Sequence, residues 1–224
     1  MYLGFKNFVS LVGLYLDVFH DNCLVVIVFV SVFVLVCVLG SFFFRGGFLL
    51  FLDVGEQVIE FWWTIFPGVI LFRLVAPSLY GLYYLDVGGE RVSKGLVVVV
   101  AKQWYWVFNV LSSEVCDVLD FGGFSQLFQF RSYYDFLLSD GFRYLEVDAS
   151  LFILVGQVFR FLFSSTDVVH RYCVPELAVK MDCVPGRYNQ GFLFLHVPGK
   201  YYGRCVEICG VGHSMMPVCV EGLV

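Results

Sequence analysis

Residues 23–44, CLVVIVFVSVFVLVCVLGSFFF, contain no charged side chain. At a rise of about 1.5 Å per residue, a helix of this length crosses a hydrocarbon core of roughly 30 Å. The run therefore predicts a transmembrane helix close to the start of the sequence. This run therefore indicates a membrane protein, and the remaining elements must be compatible with a membrane anchor.

A second apolar run covers residues 61–85 and contains one charged residue, Arg73. Its prolines, Pro67 and Pro77, are compatible with a membrane helix because neighbouring groups can satisfy the carbonyls that proline leaves free. We expect a second span, kinked near Pro67. The short connection at residues 45–60 predicts a hairpin of antiparallel helices. A charge in mid-membrane is costly, so we expect Arg73 to face a polar group of a partner subunit.

The composition bounds the rest of the molecule. With 224 residues, 59% of them hydrophobic, and a mean hydropathy of +0.82, the chain is too apolar for an ordinary soluble domain and too short for many spans. We expect a membrane anchor plus one domain. The formal charge of −5 and the scattered Lys and Arg residues provide no basic surface, so nucleic acid is not an expected partner.

Beyond the second span the pattern changes to short β-branched and aromatic runs punctuated by Gly and Pro, which is typical of strands. The predicted strands are residues 96–100, 105–110, 144–147, 151–163, 191–197 and 216–220. We expect irregular structure at residues 112–139. Several short strands indicate a compact β-sandwich or barrel with Greek-key connections. The chain thus divides into a transmembrane hairpin at residues 1–86, with spans at about 23–44 and 61–85, and a β domain at residues 87–224.

Residues 203–217, GRCVEICGVGHSMMP, concentrate four side chains that can bind a metal. These ligands are Cys205, Cys209, His213 and Met216. Thiolate and thioether donors favour copper or iron–sulfur chemistry, and a mononuclear blue-copper site uses only one Cys. Two thiolates can instead bridge two copper ions, each of which then needs an imidazole. His170 is the candidate for the second imidazole.

Other interpretations of the same residues remain open. A zinc site would use the Cys and His residues but would leave Met216 without a role as a ligand. A disulfide between Cys205 and Cys209 leaves the His and Met residues unexplained, and the chain could also be a relative that has lost its metal. His196 has no ligand spacing and is expected to be a core or surface histidine. The remaining cysteines of the β domain are expected to be packing residues: Cys116, Cys173, Cys183 and Cys219.

The spacing CxExCGxxHxxMP resembles the copper-A loop of the cytochrome c oxidase subunit II family. The resemblance covers nearly the whole chain. Further matching segments are FHD at 19–21, EFWWTIFP at 60–67, APSL at 76–79, QWYW at 103–106 and HRYCVPELAVKMDCVPGR at 170–187. Two positions differ from the common family pattern: Ala101-Lys102 replaces Gly-His, and Arg171-Tyr172 replaces Ser-Trp.

The resemblance implies an α+β membrane protein, with an N-terminal two-helix transmembrane hairpin followed by a cupredoxin-like Greek-key β-barrel. It implies two copper ions bridged by Cys205 and Cys209. The other implied copper ligands are His170, His213, the sulfur of Met216 and the backbone carbonyl of Glu207. The Glu207 side chain would face a magnesium ion shared with subunit I.

The resemblance also implies the function. Cytochrome c would deliver electrons at Trp104, and they would pass through copper A to the haem centres of subunit I, where oxygen is reduced to water with proton pumping. Asp148 and Asp167 align with acidic docking positions, although residues 107–111 replace the family's acidic cluster. Glu60 matches a carboxylate near a proton-uptake channel; alternatively, it is an N-terminal helix carboxylate facing a positive dipole.

The implied setting is the mitochondrial inner membrane, with the β domain in the intermembrane space. Implied partners are subunit I, other complex IV subunits, cytochrome c and membrane lipid. Four other functions compete. A quinol-oxidase subunit would lack the copper ligands, and a nitrous-oxide reductase domain would lack the hairpin. A structural anchor or copper-handling assembly protein would leave the combination of Trp104 with Glu207 unexplained.

Overall fold

The computed structural model describes residues 8–43, 56–87, 93–111, 127–136 and 141–224. The chain divides into two compact units. One unit is Leu16–Leu82, and the other combines Met1–Tyr15 with Tyr83–Val224.

Two long helices account for the first unit. Helix α1 is Leu11–Phe43 and helix α2 is Glu56–Val87. The segments Val12–Phe43 and Gln57–Tyr83 have hydropathies of 3.3 and 1.6, are long and apolar enough to cross a membrane, and have none of their most apolar window buried. Apolar side chains exposed all around a helix are what a lipid environment solvates. The two predicted apolar helices are therefore confirmed.

Helix α2 continues through Pro67 and Pro77. Proline removes one intrahelical hydrogen bond, which a membrane helix tolerates when other groups compensate. The side chain of Arg73 is exposed along this helix. The kink near Pro67, the partner of Arg73 and the antiparallel pairing of the helices stay predictions. The connection at residues 44–55 lies outside the described residues.

The start of α1 is capped by Ser10, which is 3% exposed. Its Oγ accepts a hydrogen bond from Gly13 N at 3.1 Å and donates one to Leu177 O at 2.7 Å. Val9 N also donates to Glu176 O at 2.9 Å. The first residues of the helix are thus satisfied by a side-chain cap, and that cap is tied to the β domain.

The β domain contains ten strands among the described residues. They are β1 Gly95–Lys102, β2 Tyr105–Leu111, β3 Leu127–Ser132, β4 Leu151–Leu154, β5 Val158–Ser165, β6 His170–Val174, β7 Val179–Cys183, β8 Asn189–Phe194, β9 Gly199–Cys205 and β10 Pro217–Leu223. One sheet has the order β3-β2-β1-β5-β8 and the other β4-β10-β9-β6-β7. The pairs β1/β5 and β4/β10 are parallel, so the topology is not a simple meander of hairpins.

Both sheets contribute side chains to one hydrophobic core. Strand β1 alternates buried and half-buried residues along its length, as a strand with one face in a core does. Its Val97 and Val99 belong to the same buried cluster as Tyr172 of β6 and Val218 of β10. Two sheets sharing one core form a β-sandwich, and the predicted fold class is confirmed.

Several strand predictions are confirmed and others are wrong. Strands β1, β2, β8 and β10 overlap predicted runs. Residues 144–147 do not form a strand, since Tyr144 has φ 61° and Val147 makes only an isolated bridge. The run 151–163 is two strands separated by a turn at Gly156, whose φ is 81°.

The sequence did not predict β3, β6, β7 or β9. Strand β3 lies within the segment expected to be irregular, of which residues 112–126 and 137–140 lie outside the described residues. Strands β6, β7 and β9 contain polar residues or glycine, so their intrinsic β-propensity is low. They form strands because neighbouring strands pair with them.

Gly203 permits the close approach of β9 to β6, and this generates a stability prediction. A Cβ at Gly203 would lie 2.0 Å from the carbonyl oxygen of Cys173 and 2.8 Å from Val174 Cγ2. Because backbone cannot yield as a flexible side chain does, Gly203→Ala should lower the free energy of unfolding by about 1–3 kcal/mol or more. Chemical unfolding of the full-length chain in detergent, followed by near-ultraviolet circular dichroism, measures the change.

The matched control is Gly191→Ala in β8. A Cβ there would lie 3.4 Å from Met181 Cε and 3.5 Å from Phe163 Cε2, which are ordinary contacts. We expect its effect on the unfolding free energy to be much smaller. Equal effects of the two substitutions would contradict the importance of the β6–β9 approach.

Candidate metal centre

Strand pairing brings together residues that are distant in sequence. His170 is the first residue of β6 and Cys205 the last residue of β9, and these strands pair antiparallel with Tyr172 opposite Cys205. After Cys205 the chain forms a loop, makes a short 3₁₀ turn at His213–Met215 and enters β10 at Pro217. The loop at residues 206–216, which we call the metal loop, therefore begins and ends beside His170.

The side-chain donors follow one another across the site. His170 Nδ1 is 3.9 Å from Cys205 Sγ, the two sulfurs of Cys205 and Cys209 are 4.0 Å apart, and Cys209 Sγ is 3.5 Å from His213 Nδ1. Both thiols thus lie between the two imidazoles. The ligand atoms of His170, Cys205 and Cys209 all lie within 4.8 Å of one another, so these three residues could hold a metal ion.

Both thiols are free, so the alternative of a disulfide between Cys205 and Cys209 is wrong. Among the other described cysteines of the β domain, Cys183 and Cys219 are buried and Cys173 is half-buried. Cys116 lies outside the described residues.

Met216 and the carbonyl of Glu207 complete the predicted ligand set. Met216 is 1% exposed, and its carbonyl oxygen accepts a hydrogen bond from Cys205 N at 3.0 Å. The Glu207 carbonyl oxygen lies 3.3 Å from Cys205 Sγ. All the residues predicted as copper ligands therefore lie in or beside the metal loop.

The two thiols differ in acidity because they share one buried site. Burial raises the pKa of the Cys205 thiol, but hydrogen bonds from His170, from backbone groups and from His213 outweigh burial, and the net pKa is lowered. For Cys209, burial and the negative charge of the Cys205 thiolate together raise the pKa. Full deprotonation of the pair therefore needs a compensating positive charge, which a bound cation supplies.

Asp167 orients the His170 imidazole. Asp167 Oδ1 lies 2.8 Å from His170 Nε2, which leaves Nδ1 facing Cys205. The carboxylate also accepts hydrogen bonds from Gln103 N at 2.7 Å and Val168 N at 2.7 Å. Burial raises the pKa of Asp167, but these hydrogen bonds outweigh it and the net pKa is lowered. An outer carboxylate that fixes a ligand histidine is a common feature of metal sites.

The sequence did not predict this contact with His170, and the spacing of three residues before a ligand histidine is the signal that could have suggested it. The other acid predicted to dock a partner, Asp148, is exposed and accepts a hydrogen bond from Tyr133 N at 2.7 Å. The docking roles of both acids stay predictions.

Trp104 lies against the metal loop and is 37% exposed. Its Nε1 donates to Cys209 O at 3.4 Å, and Gln103 Nε2 donates to the same oxygen at 2.8 Å. A Cβ on Gly212 would lie 2.5 Å from the indole ring, so only glycine allows this contact. The residue predicted for electron entry therefore touches the loop that carries the candidate ligands and also reaches solvent.

Two other residues predicted from the sequence lie elsewhere. The Glu60 side chain is exposed on α2. His196 is an exposed residue beyond the end of β8, and its ring packs edge-on against Phe194 with 4.7 Å between ring centroids. The expectation that His196 is a core or surface histidine is confirmed.

Fold and site together define a class of protein: a metalloprotein with two apolar helices and a β-sandwich that presents thiol, imidazole and thioether donors at one buried site. The family described as cytochrome C oxidase subunit II, transmembrane domain, matches residues 1–80, and the family described as cytochrome C oxidase subunit II, periplasmic domain, matches residues 96–223. The chain belongs to the cytochrome c oxidase subunit II family.

Curated relatives and a solved structure agree with this assignment. The chain is 35% identical over 228 residues to cytochrome c oxidase subunit 2 of Drosophila melanogaster, and equally similar to that of Aedes aegypti; each alignment covers 99% of this chain and 91% of the relative. The crystal structure of the periplasmic domain of subunit II of cytochrome oxidase from Bradyrhizobium japonicum matches with a TM-score of 0.50 and 27% identity. That match covers 58% of this chain and 85% of the other.

Membership of this family confirms the predicted function. The chain is the electron-transferring subunit II of a cytochrome c oxidase, an oxidoreductase complex in which other oxidase subunits are its partners. The match to the family's transmembrane domain, together with the two apolar helices, indicates an inner-membrane protein with a soluble domain. The family implies a copper-A site, and the donors of the metal loop fit it.

The contact between Gly212 and Trp104 generates a prediction about their coupling. Gly212→Ala should destabilise the β domain because the added methyl must displace the indole ring. In a Trp104→Ala background the same substitution should cost less, giving a coupling energy of about 0.5–3 kcal/mol. Denaturant unfolding of the four full-length chains in detergent measures this cycle. An equal cost in both backgrounds would show that the ring does not lie on Gly212.

Proposed function

We propose that the chain holds a binuclear copper-A centre and receives its electrons from cytochrome c. The observation that carries this proposal is the order of the donors, with both thiols between two imidazoles. Two sulfurs 4.0 Å apart, each next to one histidine, suit two metal ions that share both thiolates. A single tetrahedral zinc ion would have no use for Met216, which is buried beside Cys205.

The chain would hold the coppers through Cys205, Cys209, His170, His213, Met216 and the Glu207 carbonyl. When bound, such a pair supplies one-electron chemistry shared over two metals. The protein's own contribution is a rigid and dry setting. His170 is fully buried, Cys205 and Met216 are each 1% exposed, and Asp167 holds the His170 ring. Ligands that cannot move when the charge changes keep the reorganisation energy small.

Trp104 is proposed as the point of electron entry. Its indole is the aromatic group that combines exposure to solvent with a hydrogen bond to Cys209, a proposed ligand. Asp148 and Asp167 are proposed to contribute negative charge for docking a basic cytochrome c. Because their carboxylates also accept internal hydrogen bonds, their contribution to docking would be electrostatic attraction at a distance rather than new direct contacts.

The acceptor of the electrons is proposed to be the haem centre of subunit I, where oxygen reduction is coupled to proton pumping. We also propose a magnesium ion at the carboxylate of Glu207, shared with subunit I. In support, the Glu207 side chain is 38% exposed and therefore accessible to a neighbouring subunit. Arg73, exposed on α2, is proposed to contact a polar group of such a neighbour within the membrane.

Glu60 is proposed to lie near the entrance of a proton-uptake channel. The helix dipole acts most strongly on a carboxylate in the first helical turn. Glu60 is the fifth residue of α2, which begins at Glu56, so it lies beyond that turn. This position weakens the alternative of a purely helix-stabilising role. We further propose the mitochondrial inner membrane as the location, with the β domain in the intermembrane space, and membrane lipid around both helices.

The decisive test is the electron paramagnetic resonance spectrum of the full-length oxidised chain, purified in detergent and loaded with copper. If one unpaired electron is shared equally by two copper nuclei of spin 3/2, its resonance should split into seven hyperfine lines. Copper analysis should then find two ions per chain. Cys205→Ser should abolish the seven-line pattern because one bridging thiolate is lost.

The matched control is Cys183→Ser, which changes a buried cysteine that is not a proposed ligand. We expect it to keep the seven-line pattern. A four-line spectrum with one copper per chain would instead indicate a mononuclear site. A chain that binds zinc but no copper would overturn the proposed function.

A second prediction concerns electron entry. Trp104→Phe in the assembled oxidase should slow reduction by ferrocytochrome c by more than about tenfold, because the indole hydrogen bond to Cys209 is lost, while the copper spectrum stays unchanged. Stopped-flow absorbance measures the rate. Tyr188→Phe, at an exposed aromatic residue outside the site, should leave the rate unchanged. An unchanged rate in the Trp104 variant would remove Trp104 from the proposed route.

A further inference from the structure

Arg171 follows His170 in β6 and contacts the metal loop through both its backbone and its side chain. Its carbonyl oxygen accepts a hydrogen bond from Val206 N at 3.0 Å. Its guanidinium Nη1 lies 3.4 Å from Oε2 of Glu207. One residue therefore holds two consecutive positions of the loop, directly after Cys205.

A second carboxylate also binds the guanidinium. Its Nε donates to Oδ1 of Asp182, the residue opposite Arg171 in the β6–β7 register. A planar guanidinium presents several donors in a fixed fork, so it can bind two carboxylates at once. Lysine has a single ammonium group on a flexible stem and cannot reproduce this geometry. Arg171 thus connects strand β7 to Glu207.

The exposure of these side chains indicates what the ion pairs contribute. Arg171 is 33% exposed, Asp182 43% and Glu207 38%. Solvent screens ion pairs at this exposure, so they add little to the free energy of folding. Their geometric effect does not depend on a large energy, because the backbone hydrogen bond at Val206 already holds the neighbouring peptide.

The group whose direction is set in this way is the carbonyl of Glu207. Its oxygen lies 3.3 Å from Cys205 Sγ, so it is directed toward the thiols. A change in the backbone angles of Glu207 would turn this oxygen away. The main chain is fixed before Glu207 through Val206 N, and the Glu207 side chain is fixed by Arg171.

We propose that Arg171 is a positioning residue for the metal centre, which holds Val206 and Glu207 so that the Glu207 carbonyl is directed at the thiols. The inference rests on the proposed copper centre, whose ligands it positions.

The test compares Arg171→Met and Arg171→Lys in the full-length chain loaded with copper in detergent. Arg171→Met should release copper to an excess of chelator about 10–100-fold faster and should change the copper hyperfine splitting, because outer-shell partners tune metal affinity by this amount. Arg171→Lys, which can bind only one carboxylate at a time, should lie between Arg171→Met and the unchanged chain.

Lys200→Met is the matched control. It removes a cation that pairs with Glu221 at 2.9 Å across β9 and β10 and touches no proposed ligand. We expect its copper release and spectrum to equal those of the unchanged chain. If Arg171→Met behaves like Lys200→Met, the positioning role is wrong.

A measurement without metal separates this inference from the proposed function. In the copper-free chain, Arg171→Met should accelerate alkylation of Cys205 and Cys209, mapped by mass spectrometry, because the metal loop loses its ion pair at Glu207 and keeps only the backbone hydrogen bond at Val206. Alkylation of the fully buried Cys183 should stay unchanged. If the unchanged chain binds no copper, the proposed function fails. In that case, faster alkylation in the variant would still support the conclusion that Arg171 fixes the metal loop. Equal alkylation in the variant and the unchanged chain would contradict that conclusion.

Glu207→Gln provides a second route if Arg171→Met fails to fold. This substitution keeps the carbonyl and the length of the side chain but removes the charge that Arg171 binds. We expect faster copper release and faster thiol alkylation, in the same direction as for Arg171→Met. A Glu207→Gln chain that matches the unchanged chain in both measurements contradicts the proposal.

Discussion

The antiparallel contact between β6 and β9 is the constraint on which the rest of the site depends. It brings the first residue of β6, His170, beside the last residue of β9, Cys205, although the two are 35 residues apart. The approach is close enough that Gly203 has no room for a side chain. Strand β10 then pairs with β9 with Pro217 opposite Arg204, so both ends of the metal loop are fixed within one stretch of sheet. A loop closed at its base in this way loses little further entropy when it arranges its ligands.

Around that base, the candidate ligands are oriented by residues outside the proposed ligand set. Asp167 directs the His170 ring, and Gln103 and Trp104 donate to the carbonyl of Cys209. Arg171 holds the other end of the same short stretch at Glu207. The two thiols therefore lie in a buried site whose geometry is set by hydrogen bonds before any cation arrives. This is the arrangement that an electron-transfer centre needs, because ligands that are already in place move little when the charge changes.

The candidate ligands were predictable because their spacing is short and their chemistry is distinctive. Cys205, Cys209, His213 and Met216 lie within one loop, and soft donors at that spacing have few alternative uses. His170 was predicted because two bridged copper ions each need an imidazole, and the family resemblance implied the same residue. The strand that carries it, β6, was not predicted, and neither was its partner β9. Their sequences, HRYCV and GKYYGRC, lack the regular alternation that a strand requires when local pattern is the only signal.

The sequence by itself determined the two membrane helices, the family and the set of candidate metal ligands. A membrane helix is recognised from the apolar composition of one continuous run of residues, and candidate ligands are recognised from their side-chain types. Neither requires knowledge of long-range contacts. Only the tertiary structure decided that Asp167 orients His170, that Trp104 lies on Gly212 and that Arg171 joins Asp182 to Glu207. These contacts are made between different strands and loops, and the pairing of distant strands is set by packing of the whole core, which no local window of sequence contains.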